Sequence, residues 1–289
     1  MLRQLPISLF ALLPYLFCVG GSSLRYPRYV TSYNGRIAYH HDLGFVSTDK
    51  TVPSLPGVFY CGGYNSAMDT SRKAIALDEF CRERDQEFTR FDYFGHGESD
   101  GTLEEGTVTR WRDDTFQVFG LTSGPQIIVG VSMGTWMAIL LALTNPDRIK
   151  GLILIAPAVD FTTKLLFPRL SDEEIAKIEE GGVVYVDVAN LVSQRKGALF
   201  QPWRAKDSKS NWTSQQIPVS QSFIKDSLPH LLLGDELGPG GLNMDCIRFY
   251  GPIRILYGLL DEVVTFPHVY RTMDMLASED VVLTVNKYG

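Results

Sequence analysis

The chain has 289 residues, with 27 Lys plus Arg against 33 Asp plus Glu, for a formal net charge of −6. A net-negative chain without a basic run is a poor nucleic-acid ligand, because neutralising phosphates supplies most of that affinity. A hydrophobic content of 45% and a charged content of 21% exclude a disordered chain and a polytopic membrane protein. The length suits one large α/β domain or two small ones.

Leu5 to Gly20 is apolar and uncharged, follows Arg3, and precedes the small residues Gly20, Gly21, Ser22 and Ser23. These residues read as a targeting segment, with the pattern slightly favouring a secretory signal. Pro6, Pro14 and the short length argue against a transmembrane helix, so no stable membrane span is expected. Residues 1–24 are therefore set apart from the fold. The four cysteines, Cys18, Cys61, Cys81 and Cys246, form neither a CxxC pair nor a zinc-spaced cluster. Without the leader three remain, which argues against a secreted disulfide framework and for core thiols.

The first region, around His40 and His41, reads as a hairpin. Gly57 to Cys61 is a continuous apolar strand that stops at Gly62-Gly63. Ala74, Leu77, Phe80 and Cys81 then recur at helical spacing. Glu87 to Phe91 is a short strand closed by Gly95-His96-Gly97, and Trp111 to Phe119 suits a helix. Gln126 to Gly130 is a strand, and Thr135 to Leu143 is apolar on all sides, as a buried helix must be. Leu152 to Ala156 is another apolar run. Such runs alternating with helices imply a parallel sheet covered on both faces. The rhythm breaks from Asp160 to about Leu233, where helices and loops with few strand runs are expected. It resumes with Ile253 to Tyr257, a helix from Pro267 to Leu276, and Val281 to Val285. The expected architecture is thus a mostly parallel α/β sheet with helices on both faces and a helical cap insertion at about 160–233.

Gly130-Val-Ser132-Met-Gly134 is a G-x-S-x-G pentapeptide between a strand and a helix. The motif is weak by itself, but the context is that of a nucleophile elbow. Glycines on both flanks permit the sharp turn that exposes the Ser132 hydroxyl. The Met133 N–H opens the following helix and can donate to an oxyanion. Gly62-Gly63-Tyr64 follows the first long strand, where the Tyr64 N–H would be the second donor. Asp261 lies just past a strand end and follows Ser132 in the chain order of such hydrolases, so it is the candidate triad acid. Glu262 is its neighbouring competitor.

The five histidines are His40, His41, His96, His230 and His268. A triad histidine belongs on the loop after the last strand, where this sequence has only Asn286-Lys-Tyr-Gly289. His96 is expected to be structural, in a loop where Asp92 and glycines shape the mouth of the site. His268 is expected at the surface or as a cap. The chain as given is thus expected to lack its catalytic histidine, its histidine loop and its final helix. No metal or organic cofactor is required by this chemistry.

Several blocks together carry a resemblance: Gly62-Gly-Tyr64, Asp78-Glu-Phe-Cys81, Arg90-Phe-Asp-Tyr93, Gly130 to Trp136, Ala156-Pro-Ala158, Ser222 to Asp226, and Pro252 to Gly258. The chain resembles the mitochondrial α/β-hydrolase family of palmitoyl-protein thioesterases, also described as acyl-glucuronide esterases, over about Tyr26 to Gly289. The resemblance implies a serine hydrolase acting on acyl thioesters of protein cysteines and on acyl esters of glucuronic acid. It assigns Ser132 as nucleophile, Asp261 as acid and a mitochondrial location, and it implies an S-acylated protein or small acyl ester as partner. The alternative is a catalytically inactive remnant of the fold that binds rather than cleaves. Leu165, Leu166 and Phe167 are expected to line an acyl slot. The stretch at about 191–218, with Arg195, Lys196, Trp203, Arg204, Lys206, Lys209, Trp212 and the sequon Asn211-Trp-Thr213, has no counterpart in the family and reads as a solvated cap loop or a foreign insert.

Overall fold

The computed structural model describes residues 26–33, 35–44, 55–187, 216–234, 245–261 and 263–287. The leader, Cys18, Glu262 and residues 191–215, with the sequon and basic residues, lie outside them.

Among the described residues, eight strands form one sheet in the order β1-β2-β4-β3-β5-β6-β9-β10. β1 (Arg28–Ser32) and β2 (Gly35–Asp42) make the expected hairpin, and β2 runs antiparallel to β4 (Phe88–Phe91). From β4 onward β3 (Gly57–Cys61), β5 (Gln126–Val131), β6 (Ile149–Ile155), β9 (Ile253–Gly258) and β10 (Val281–Asn286) are parallel. β3 shows why its sequence is apolar throughout. Val58 and Tyr60 enter a smaller core with Ala74, Leu77 and Phe80 of α1 (Arg72–Arg82). Phe59 and Cys61 face the opposite, larger core, which holds Trp111 of α2 (Val108–Phe119) and Trp136 of α3 (Met133–Thr144). A strand buried on both faces cannot alternate with polar residues.

Helix starts lie earlier than apolar spacing alone suggests. α2 begins at Val108 because the Thr107 hydroxyl accepts from the Arg110 N–H at 3.2 Å. α3 begins at Met133, directly after the elbow serine. Met133 to Ala142 is entirely buried because α2 and the chain around His230 cover its far side; Trp136 Nε1 donates to the His230 carbonyl at 2.9 Å. Cys61 and Cys81 are buried free thiols, and Cys246 is a partly exposed one.

The excursion between β6 and β9 contains a π-turn (Thr162–Leu166), a 3-10 turn (Phe167–Arg169), α4 (Asp172–Glu179) and α5 (Gln221–Ser227). It also contains a two-stranded antiparallel sheet, β7 (Val183–Asp187) with β8 (Gln216–Ser220), in a region expected to be mainly helix and loop. Pro218 hides β8 from a sequence reading, since proline cannot donate to a ladder. In a two-stranded sheet both strands are edges, and Pro218 is tolerated opposite Tyr185. The ends of the excursion are tied together by Asp160, fully buried, with φ 54°. Its carboxylate accepts from Leu232 N (2.9 Å) and Leu233 N (2.7 Å), 72 and 73 positions further on.

Candidate active site

Ser132 adopts φ 51° and ψ −119°, a conformation that L-residues avoid unless the surroundings impose it. Its N–H donates to the Ile155 carbonyl on β6 at 2.9 Å. Its carbonyl accepts from Thr135 N (3.0 Å), Thr135 Oγ1 (2.5 Å) and Ala158 N (3.3 Å). Four hydrogen bonds therefore hold the strained residue from both sides. The glycines are sterically required. A Cβ on Gly130 would lie 2.6 Å from the Gly134 carbonyl oxygen, and one on Gly134 would overlap the carbonyls of Cys61 and Gly62. Those carbonyls belong to the end of β3, so the second glycine also lets the loop after β3 approach the elbow. A Cβ on Gly63 would lie 3.5 Å from Ser132 Cβ.

The loop carrying Tyr64 is anchored further along its length. Met68 N donates to Asp92 Oδ1 at 2.7 Å, and Arg90 donates to the Met68 carbonyl at 3.2 Å and pairs with Asp69 at 3.2 Å. Burial raises the Asp92 carboxyl, and hydrogen bonds from the Glu98 and Met68 amides oppose it. Arg90-Phe-Asp-Tyr93 is thus an anchor for this loop rather than a rim of the mouth. Neither the Tyr64 N–H nor the Met133 N–H has an acceptor among the described residues.

Asp261 follows β9, as expected. Its Oδ1 accepts from the amides of Val263 (3.0 Å) and Val264 (2.8 Å). Burial raises its carboxyl above the usual range; the Val264 and Val263 amides and the charges of Lys73 and Arg169 pull it back.

Ser132, Met133, Tyr64 and Asp261 all line one cavity of about 300 Å³. Its remaining wall is mainly apolar, with Phe161, Leu165, Leu166, Ile217 and Val264 among the contributors. Leu165 and Leu166 stand where the acyl slot was expected, whereas Phe167 does not reach the cavity. Sequence reading missed Lys73, Phe161, Arg169 and Ile217. Ile217 lies on β8, so this strand of the excursion lines the same cavity as Ser132.

None of the five histidines lines this cavity. His96 is 2% exposed and packs edge-on behind Tyr64 and Trp111, at ring distances of 5.8 and 5.7 Å. Burial pushes its imidazole down to about 4. His268, expected at the surface, is instead buried under the start of the cap, where burial lowers it to about 4 and a backbone hydrogen bond at Val159 partly offsets this. The α6 helix (Phe266–Asp274) is amphipathic and turns His268, Val269 and Thr272 inward. Among the described residues no group of three His, Cys, Asp or Glu is placed to hold a metal ion. None of their helices is long and apolar enough to cross a membrane.

Residues 58–233 match the family described as serine aminopeptidase, S33. The human mitochondrial palmitoyl-protein thioesterase ABHD10 is 31% identical over 86% of this chain and 71% of its own length. The mouse protein of that name is 30% identical over 81% of this chain and 68% of its own. The solved structure of alpha/beta hydrolase domain-containing protein 10 from mouse aligns with TM-score 0.70 at 29% identity, covering 92% of this chain and 90% of that one. Est1E from Butyrivibrio proteoclasticus, with ferulic acid bound, shares the fold at TM-score 0.57 and 19% identity, over 90% and 88% of the two chains.

Proposed function

The chain belongs to the serine aminopeptidase S33 family of α/β-hydrolases, and on that premise we propose that it cleaves acyl thioesters on protein cysteines, and acyl esters of glucuronic acid, through an acyl-serine intermediate. Its family and relatives are enzymes of the serine hydrolase type. The observation that carries the finer reading is the strained Ser132 facing, with Asp261, a cavity whose wall is otherwise apolar. Such a wall suits a fatty acyl chain. The names of the thioesterase relatives favour acyl transfer over peptide cleavage.

In this mechanism Ser132 Oγ attacks the acyl carbonyl, and the Tyr64 and Met133 amides receive the developing oxyanion. The acyl group passes to Ser132, the thiolate or sugar oxygen leaves with a proton, and water then hydrolyses the acyl-serine. Asp261, held by two amides, orients the imidazole that takes the Ser132 proton and stabilises the resulting imidazolium. That imidazole is the one role no described residue fills at the cavity. This observation favours a second reading, a hydrolase-fold protein that binds acyl esters without turning them over. The substrate partner is an S-acylated protein or a small acyl ester, the location is mitochondrial, and the catalytic unit spans 25–289 with its cap at 160–233.

A fluorophosphonate probe decides between the two readings. Labelling of the full chain that is lost in Ser132→Ala supports the hydrolase. Labelling and ester turnover that emerge only with millimolar imidazole identify an elbow short of its base. Tight acyl-ester binding with neither outcome supports the binding protein.

A further inference from the structure

We propose that Lys73 selects esters and thioesters whose leaving group carries a carboxylate. The proposal rests on the hydrolase reading above and assigns a residue to its specificity. Lys73 sits in the first turn of α1 and lines the same cavity as Ser132 and Asp261.

Its placement is unfavourable on three local counts. The first turn of α1 holds no acid, so the ammonium opposes the positive end of the helix dipole. Arg72 adds a like charge, and burial is the largest influence lowering the Lys73 pKa. Only Asp261 acts the other way, and the two make no hydrogen bond or ion pair among the described residues.

The other charged groups among the described residues of the wall are already engaged. Asp261 spends Oδ1 on two amides. Arg169 donates to the Leu165 carbonyl at 2.7 Å and the Val263 carbonyl at 3.0 Å, joining the cap to the acid loop. Lys73 is therefore a three-donor cation on the cavity wall with no acceptor among the described residues. Among the described residues of the wall, two cations, Lys73 and Arg169, stand with one acid, Asp261. A carboxylate entering beside the scissile bond supplies the missing acceptor in a charge-assisted hydrogen bond. That carboxylate has two sources: a uronic acid leaving group, or an acidic side chain next to an acylated cysteine.

The test uses the full chain and two matched substrate pairs with one acyl group. The first pair is an acyl-glucuronide and its methyl ester; the second is an S-acyl peptide with Asp or Asn beside the cysteine. The wild type is expected to favour the carboxylate member by about tenfold in kcat/KM. Which pair shows the preference identifies the source. Lys73→Met, checked for an unchanged melt, should bring the ratio to near one, while Lys73→Arg should keep most of it. A wild type without preference in either pair, or a ratio that survives Lys73→Met, overturns the proposal. If the wild type turns over none of the four substrates, with or without millimolar imidazole, the hydrolase reading fails separately. Calorimetry with free glucuronate then decides: weaker binding by Lys73→Met supports the role of Lys73, and equal binding overturns it.

Discussion

Between β5 and α3 every geometric requirement of the proposed nucleophile sits within five consecutive residues, whereas the cap is closed by contacts that span tens of positions. The elbow needs two glycines, a residue that tolerates a positive φ, and a helix that starts at once. The cap needs Asp160 to reach Leu232 and Leu233, and Thr109 to meet Asp226 at 2.9 Å and His230 at 2.8 Å. Phe223 must also pack on Trp111 and Phe161. The comparison teaches where each kind of damage should appear. The elbow is stiff and its failures are steric or chemical. The cap is tied at a few polar points, so its failures should be local openings that change which substrate enters.

The largest effect tests the elbow as chemistry. Ser132→Ala should lower acyl-ester turnover by about 10⁴-fold or more while leaving the thermal melt close to wild type. A mutant that retains turnover would place the nucleophile elsewhere. Next, Gly134→Val drives a side chain into the Cys61 and Gly62 carbonyls. It should cost about 3 kcal/mol or more in denaturant titration, or abolish the soluble fold.

Acidification loads both regions at once, through His96 behind the Tyr64 loop and His268 under the start of the cap. Each has a folded pKa of about 4, below the unfolded 6.5. Between these values the unfolded chain binds more protons, so stability falls as pH drops from about 6.5 toward 4. The loss is on the order of 3 kcal/mol for each histidine at the acid end. Replacing His96 with Phe should remove part of this slope in pH-dependent unfolding; an unchanged slope would contradict the assignment.

Asp160→Ala leaves two buried amides of the cap without their acceptor and should cost about 2 kcal/mol. The distinguishing readout is limited proteolysis: cleavage in the cap should speed up more than cleavage in the sheet. The smallest effect concerns the acyl wall. Leu165→Ala should weaken kcat/KM for a long-chain acyl ester several-fold, by about 1 kcal/mol, and leave a short-chain ester nearly unaffected. Equal losses on both would show that Leu165 supports the cap without touching the acyl chain.

Much of the fold is legible in the residues because a strand segment covered on both faces is apolar along its length, as in β3, Ile127–Val131 of β5 and Gly151–Ile155 of β6. β7 and β8 escape that reading. Their pairing joins Val183 to Ser220 across a long connection, and Pro218 sits mid-strand. His268 escapes for another reason: polar residues on amphipathic helices normally face water, and the inward face of α6 is decided by the cap start at Val159.

The sequence by itself determined the geometry of the elbow and the place of Asp261. Gly130, Ser132 and Gly134 are consecutive enough for backbone sterics to dictate their turn, and Asp261 follows a strand that its own apolar run announces. Only the tertiary structure decided what surrounds them. Positions 73, 169, 217 and 261 meet 132 through strand order, cap closure and a loop crossing after β3, none of which has a local period. That is why nothing in the sequence singles out Lys73, which the fold places on the cavity wall beside Ser132 and Asp261.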